Sequence, residues 1–280
     1  MKRTLRRLGT IAALTALLLL LGLFMFRRVL TDAMLFHPTR GQPRTPAAIG
    51  LPFEEVWLRA ADGTRTQAWW IPGQGRPIVV VCFHGNAGVI ADRLENAREL
   101  HALGVSLLVA EYRGYGDSEG KPSEEGLYAD AEAALGEARR RAAGARVIAF
   151  GRSLGGAVAI DLASRQPVDG LVVESTFTSL PAMAAQTGLP LASRLVAYRF
   201  DSLAKIPRVT APLLIVHGDA DELVPFSMGE RLRDAARASR SVAFHRVAGG
   251  DHNSSWVTGG EPYWASWRKI LDEVAAGLPR

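Results

Sequence analysis

The 280-residue sequence lacks most of the features that mark disulfide-rich, metal-binding and nucleotide-binding proteins. Its one cysteine, Cys82, permits no internal disulfide, and its place in an apolar run indicates a small buried side chain. The acids of HGDADE at 217–222 do not have the spacing of a calcium loop or a zinc site. HGNAG at 84–88 lacks the lysine and hydroxyl of a phosphate-binding loop, and GYGDSEG at 114–120 is typical of a turn. We therefore predict no cofactor and no metal.

Acidic residues are absent from the first 28 positions, which contain six of the 33 lysines and arginines. The other 27 basic residues stand against 28 acids, so the rest of the chain is nearly neutral despite a formal net charge of +5. A basic groove for phosphate backbones is not supported, and we predict no nucleic-acid partner.

The basic clusters flank residues 11–26, a run of 16 residues without a charge. With its uncharged neighbours this run approaches the thickness of a bilayer as a helix. We predict that residues 1–28 form an N-terminal membrane anchor of one transmembrane helix, with the N-terminus in the cytoplasm and the body of the chain on the periplasmic or extracellular side. A buried core helix and a cleaved signal peptide are the alternatives, although no small-residue cleavage pattern follows Phe26.

The rest of the chain divides into a linker and one larger unit. Residues 29–52 contain several prolines and glycines and are predicted to be a juxtamembrane linker. Residues 53–280 begin with a hairpin pattern and continue with six short apolar runs separated by helical patterns. This order predicts an α/β fold with a mostly parallel eight-stranded sheet and helices on both faces. The longer stretch at 176–206 is predicted to form a short cap over a pocket.

Ser153 stands in GRSLGG, between an apolar run and a helical pattern. The spacing GxSxG and this context are typical of a nucleophile elbow, a sharp strand-to-helix turn that exposes a serine hydroxyl. The alternative is a serine that merely occupies a tight turn.

A serine nucleophile needs a histidine base and an acid that orients it. Of six histidines, His252 lies in the polar loop GGDHNSS after the last predicted strand, where an elbow serine would project. His84 and His217 follow strands and could border the site. The loop HGDADELVP offers Asp219, Asp221 and Glu222 as the acid. The order serine, acid, histidine is that of α/β-hydrolases.

The sequence resembles the α/β-hydrolase superfamily, and in particular its membrane-anchored serine hydrolases of the BEM46 and ABHD12/13/17-like group. Five motifs carry this resemblance and extend from the hairpin to the C-terminus: HGNAG at 84–88, YRGYGDSEG at 112–120, GRSLGG at 151–156, HGDADELVP at 217–225 and GGDHN at 249–253. The resemblance implies that Asp221, in the pattern GxxDxxV, is the acid. It also implies that the backbone N–H groups of Asn86 and Leu154 stabilise the oxyanion.

These observations predict a Ser153–Asp221–His252 hydrolase of the esterase, lipase or thioesterase type. Its partner would be a small-molecule or lipid acyl substrate, cleaved through an acyl-enzyme. A serine peptidase or aminopeptidase of the same fold and a non-catalytic binding protein are the alternatives. The sequence leaves the acyl-chain length and the oligomeric state open.

Overall fold

A computed structural model describes residues 2–189 and 192–277. The described residues form ten α-helices and ten strands around one large sheet. The strands are β1 His37–Pro38, β2 Glu54–Arg59, β3 Arg65–Ile71, β4 Ile78–Phe83, β5 Ala87–Gly88, β6 Ser106–Ala110, β7 Arg146–Arg152, β8 Gly170–Glu174, β9 Leu213–Gly218 and β10 Val242–Val247. The helices are α1 Lys2–Leu35, α2 Leu94–His101, α3 Glu124–Arg141, α4 Leu154–Arg165, α5 Leu180–Ala185, α6 Ala192–Leu195, α7 Ser202–Lys205, α8 Phe226–Ala235, α9 Ser255–Thr258 and α10 Gly260–Ala276.

The large sheet has eight strands in the order β10-β9-β8-β7-β4-β6-β3-β2. The hairpin β2–β3 is antiparallel, β3 pairs antiparallel with β6, and the other pairs are parallel. The predicted α/β fold with a mostly parallel sheet is confirmed. Since parallel strands end at the same edge, the loops after β4, β7, β9 and β10 all emerge there.

The sheet separates two hydrophobic layers, and the alternation of side chains along β4 shows why its sequence is apolar throughout. Val79 and Val81 pack in the layer that contains Leu127 of α3. Val80, between them, packs in the opposite layer with Trp267 of α10. Both faces of β4 are therefore buried, as expected for a central parallel strand. Packing on both faces holds the end of β4 in place, and the loop that follows β4 begins there.

The N-terminal helix and the region after it are more ordered than the linker prediction implies. Helix α1 continues to Leu35, past the predicted anchor boundary at residue 28. Strand β1 then pairs in parallel with β5, and Phe36 is buried in the core. Within residues 2–189 and 192–277, no helix meets the combined length and hydropathy of a membrane span.

The described part of 176–206 packs beside the end of α1. The backbone N–H of Ala197 donates to Thr31 Oγ1 at 3.0 Å, and the Tyr198 hydroxyl donates to Asp32 at 2.6 Å. The rings of Tyr198 and Phe36 meet edge to face, with centroids 5.7 Å apart. The role of this segment as a cap stays a prediction.

Candidate active site

Ser153 lies in the one-residue turn between β7 and α4. Its backbone has φ +53° and ψ −120°, a conformation that residues other than glycine rarely adopt. Glycines make this turn possible, since a Cβ on Gly151 would collide with the carbonyl of Gly155, and one on Gly155 with the carbonyl of Phe83. The chain therefore forms the strained strand-turn-helix arrangement typical of a nucleophile elbow.

The structure brings Ser153, His252 and Asp221 together. His252 Nε2 lies 3.0 Å from Ser153 Oγ, and His252 Nδ1 lies 2.9 and 3.0 Å from the two carboxylate oxygens of Asp221. These contacts fit a neutral imidazole whose Nδ1–H donates to the carboxylate and whose Nε2 accepts from the serine hydroxyl. His252 comes from the loop after β10, and Asp221 from the loop after β9.

The Asp221 side chain is fully buried, yet its environment favours the ionised form. Burial raises the pKa of this carboxyl, but hydrogen bonds from His252 and the Val224 N–H, with the nearby His217 ring, outweigh it and leave the pKa below its ordinary value. The Leu223 and Val224 N–H groups donate to Oδ1 at 3.0 and 2.8 Å. A fixed negative charge therefore lies beside Nδ1 of the imidazole.

The other two candidate acids are engaged elsewhere or exposed. Asp219 accepts from Arg246 Nε at 2.8 Å and from the Gly249 N–H at 2.7 Å. Glu222 is exposed to solvent. Among the three acids, it is Asp221 that contacts His252.

His217 supports the acid loop. Its Nε2–H donates to the Val224 carbonyl at 2.9 Å, and the same nitrogen lies 3.5 Å from Asp221. Burial lowers the pKa of His217, which favours the neutral ring. The sequence predicts that His217 borders the site, but it does not predict that His217 stabilises the loop of Asp221.

The predicted oxyanion groups lie next to the serine. Leu154 is the first residue of α4, so its N–H has no acceptor within the helix and lies at the positive end of the helix dipole. Asn86 follows Gly85, where an added Cβ would stand 3.6 Å from Ser153 Cβ. Asn86, Ser153 and His252 line the same cavity. The role of the Asn86 and Leu154 N–H groups as donors stays a prediction.

Comparisons with known proteins agree with this arrangement. Residues 76–205 match the family described as Hydrolase_4, serine aminopeptidase S33. The α/β-hydrolase domain-containing protein WAV2 of Arabidopsis thaliana is 35% identical over 259 residues, which cover 85% of this chain and 84% of that protein. The chain belongs to the α/β-hydrolase superfamily.

One further relative is similar in sequence and one solved structure is similar in fold. The lysophosphatidylserine lipase ABHD12 of Danio rerio is 32% identical over 190 residues, 60% of this chain and 50% of that protein. A solved Pyrococcus furiosus esterase is similar in fold, with a TM-score of 0.73 at 20% identity, and covers 86% of this chain and 98% of its own.

A buried carboxylate, Glu111, supports the loop after β4 in this α/β-hydrolase. Its side chain is fully buried and contacts His84 Nε2 at 2.6 Å. It also accepts from Gln42 Nε2 at 2.9 Å and from the Ile90 N–H at 3.0 Å. Glu111 therefore ties the linker and both ends of the HGNAG loop together. In the sequence, Glu111 directly follows the apolar run VSLLVA, and this position is the pattern that could have indicated a buried carboxylate.

The end of α1 contacts the same loop. Asn86 Nδ2 donates to the Leu35 carbonyl at 2.8 Å, and the His37 N–H donates to the Asn86 carbonyl at 3.0 Å. The Tyr115 hydroxyl donates to that carbonyl as well, at 2.7 Å. The position of Asn86 thus depends on the segment that joins α1 to the sheet.

Replacing Glu111 by glutamine is expected to lower the free energy of unfolding by about 1–3 kcal/mol, the usual cost of leaving buried donors without an acceptor. The amide removes the charge and turns a donor toward groups that already donate. Urea unfolding of both proteins measures the change. Glu99→Gln is the control, because that side chain is 39% exposed and faces Arg98 at 3.4 Å. Equal, small changes in both variants would contradict a structural role for Glu111.

A cavity of about 510 Å³ opens beside Ser153. Its lining is partly apolar, with Phe150, Leu223 and Trp256. It also contains charged residues of both signs, which are Asp92, Arg93, Glu95 and Arg152. Its lining includes none of the described residues of 176–206. A cavity of this size can take a small ester or part of an acyl chain.

Cys82 also lines this cavity and is a free thiol. Burial raises its pKa to about 12, so the thiol stays protonated at neutral pH. Among the described residues, no group of three or more histidine, cysteine or carboxylate side chains could hold a metal ion.

Proposed function

We propose that the protein is a membrane-anchored serine hydrolase that cleaves carboxylic ester, thioester or lipid acyl bonds through an acyl-enzyme. The observation that carries this proposal is the continuous set of contacts from Asp221 through His252 to Ser153, with the serine in the lining of a cavity. A buried acid, an oriented imidazole and an elbow hydroxyl are the parts that acyl transfer requires.

In the proposed mechanism, Ser153 Oγ attacks the acyl carbonyl while its proton moves to His252 Nε2. The Asn86 and Leu154 N–H groups stabilise the negative oxygen of the tetrahedral intermediate. Collapse of this intermediate breaks the bond to the leaving group, which takes the proton from Nε2. Water then attacks the acyl-enzyme by the same steps, with His252 again as base, and releases the acid. Asp221 stabilises the imidazolium of His252 that forms during both acylation and deacylation.

Esters and lipids are the favoured substrates over peptides. The zebrafish relative is named a lysophosphatidylserine lipase, and the structural neighbour from Pyrococcus furiosus is named an esterase. The matched family is described as serine aminopeptidase, which keeps an aminopeptidase as the alternative. An aminopeptidase needs an anionic group for the substrate ammonium. The carboxylates of the cavity lining have partners already, since Asp92 accepts from the Val89 N–H and Glu95 faces Arg44 and Arg98. With Arg93 and Arg152 in the same lining, the cavity suits an anionic or neutral substrate better.

Labelling with a fluorophosphonate probe tests whether the site is catalytic. We expect the full chain to be labelled and the Ser153→Ala protein to remain unlabelled, because the probe reacts with an activated serine. A panel of p-nitrophenyl esters, thioesters and aminoacyl amides of graded length then separates the substrate classes. A folded protein without Ser153-dependent labelling would favour a non-catalytic binding protein, and turnover confined to aminoacyl amides would favour the aminopeptidase.

The proposed anchor is residues 1–28, with the N-terminus in the cytoplasm and the catalytic domain on the periplasmic or extracellular side. Helix α1 exposes many large apolar side chains, among them Ile11, Leu18 and Met25. No acid precedes Asp32, and basic residues flank the apolar run. A helix with this surface is unfavourable in water but suits a lipid environment.

We expect the full chain to stay in the membrane pellet during an alkaline carbonate wash. Replacing Leu18 and Leu19 together by arginine should release a large part of it, because a charge within the bilayer costs about 2.5–3.5 kcal/mol. Leu189→Arg is the control, since Leu189 is also exposed but lies outside α1. A wild-type chain in the supernatant, or a mature N-terminus beyond residue 28, would contradict the anchor.

A further inference from the structure

Arg93 stands at the wall of the cavity beside Ser153. It ends the 3₁₀ turn Ile90–Arg93, directly before α2. One guanidinium nitrogen donates to the Ala87 carbonyl at 2.8 Å, which fixes the side chain on the HGNAG loop. Its Nε–H is buried and has no acceptor within the described residues. A buried N–H group without an acceptor destabilises the folded protein unless a ligand accepts a hydrogen bond from it.

The acids near Arg93 attract its charge but form no direct ion pair with it. No carboxylate of the described residues lies within 4.0 Å of its guanidinium nitrogens. Asp92, which also lines the cavity, accepts from the Val89 N–H at 2.8 Å. Glu95, another lining residue, contacts two other arginines, Arg44 at 3.7 Å and Arg98 at 3.1 Å. Arg93 therefore keeps its positive charge inside the cavity without a paired acid.

The second arginine of the cavity has other partners. One nitrogen of Arg152 donates to the His252 carbonyl at 2.5 Å and to Asn253 Oδ1 at 2.9 Å, and its Nε lies 3.6 Å from Glu174 Oε1. Arg152 thus positions the loop of the catalytic histidine. Both arginines line the cavity. Burial and the charge of Arg152 lower the pKa of Arg93, while the nearby carboxylates of Asp92 and Glu111 oppose this shift.

A partly buried cation without a counter-ion is unfavourable, and an anionic ligand relieves that cost. We propose that Arg93 binds an anionic oxygen group of the substrate, a phosphate or a carboxylate, and thereby selects acyl esters that carry such a group. This assignment rests on the proposed function for the hydrolysis of these esters, whereas binding of the anion does not depend on it. Arginine suits the task because its planar guanidinium presents several donors to one oxyanion group.

A matched pair of esters tests the selection. We expect the protein to hydrolyse octanoyl-glycerol 3-phosphate with a kcat/KM at least tenfold above that for octanoyl-glycerol. Arg93→Met should remove this preference, measured as the ratio of the two kcat/KM values within the same protein, and Arg93→Lys should restore part of it. A hydrogen bond to a charged group contributes about 1.5–3 kcal/mol, which corresponds to these factors. Arg140→Met, an exposed arginine of α3 with the same change in net charge, is the control.

Binding to the Ser153→Ala protein separates the inference from the proposed function. Calorimetry with hexyl phosphate, heptanoate and hexanol should show tighter binding of the two anions, with at least a tenfold loss in the Ser153→Ala/Arg93→Met protein. Comparison of phosphate and carboxylate identifies the preferred anion. If this binding is found but no ester is hydrolysed, the proposed function fails and the anion site stands. If esters are hydrolysed but Arg93→Met lowers activity equally on both, or on neither, the anion site is wrong.

Discussion

Replacing Ser153 by alanine is expected to lower kcat for ester hydrolysis by a factor of roughly 10⁴–10⁶ while the fold stays intact. The change removes the attacking oxygen, and no other hydroxyl lies in contact with His252 Nε2 among the described residues. Alanine can keep the same strained backbone at φ +53°, so stability should change little. Burst and steady-state rates on a p-nitrophenyl ester measure the loss.

Ser175 provides a matched control for this experiment. It also has a positive φ, +48°, and it follows the neighbouring strand β8. Its hydroxyl is buried and makes no hydrogen bond with the described residues. Ser175→Ala should therefore leave both activity and stability near the wild-type values. A Ser153→Ala protein that keeps more than about one hundredth of kcat would contradict the nucleophile assignment.

The strand pattern of the sequence predicts that Ser153 and His252 approach one another, whereas the choice of Asp221 among three acids comes from the family resemblance. GRSLGG and the late loop GGDHNSS are separated by about a hundred residues, yet each follows a strand of the same parallel sheet. Parallel strands end at one edge, so chain order and strand pattern predict proximity. Two glycines of the motif also indicate the sharp turn at Ser153, because the positions of Gly151 and Gly155 leave no room for a Cβ.

Other parts of the site depend on contacts that no local pattern encodes. Glu111 meets Gln42, 69 residues away, and neither lies in a motif that indicates this contact. The same holds for Arg93, whose proposed role depends on the absence of a direct ion pair among the described residues. No sequence pattern indicates that α1 reaches Leu35 or that its end contacts Asn86. Such features follow from tertiary packing, which overrides the composition of a presumed linker.

These contacts join the proposed anchor to the proposed chemistry. The carbonyl of Leu35 at the end of α1 fixes the Asn86 side chain, and β1 pairs with β5 in the same loop. Gln42 adds a second connection through Glu111. The HGNAG loop, the proposed oxyanion loop, is therefore positioned by the segment that leaves the helix as well as by the sheet. In a serine hydrolase at a membrane, this arrangement would set the site at a fixed distance from the lipid surface.

Replacing Asp221 by asparagine is expected to lower kcat by a factor of about 10⁴. The pKa of this carboxyl lies below its ordinary value, so the wild-type group is ionised at neutral pH and stabilises the imidazolium. The neutral amide cannot do so, and its NH₂ group favours the tautomer of His252 in which Nε2 carries the proton. That tautomer cannot accept a proton from Ser153. Steady-state rates between pH 6 and pH 9 measure the loss.

Asp219→Asn is the matched control, since Asp219 lies two residues away and contacts Arg246 and the Gly249 N–H instead of His252. We expect this variant to keep activity within about threefold, because the exposed ion pair that it loses contributes about 0–1 kcal/mol. Thermal unfolding of both proteins separates catalytic from structural effects. If Asp219→Asn loses activity while Asp221→Asn keeps most of it, the acid is misassigned, and the contact of His252 with the buried carboxylate would have a structural role only.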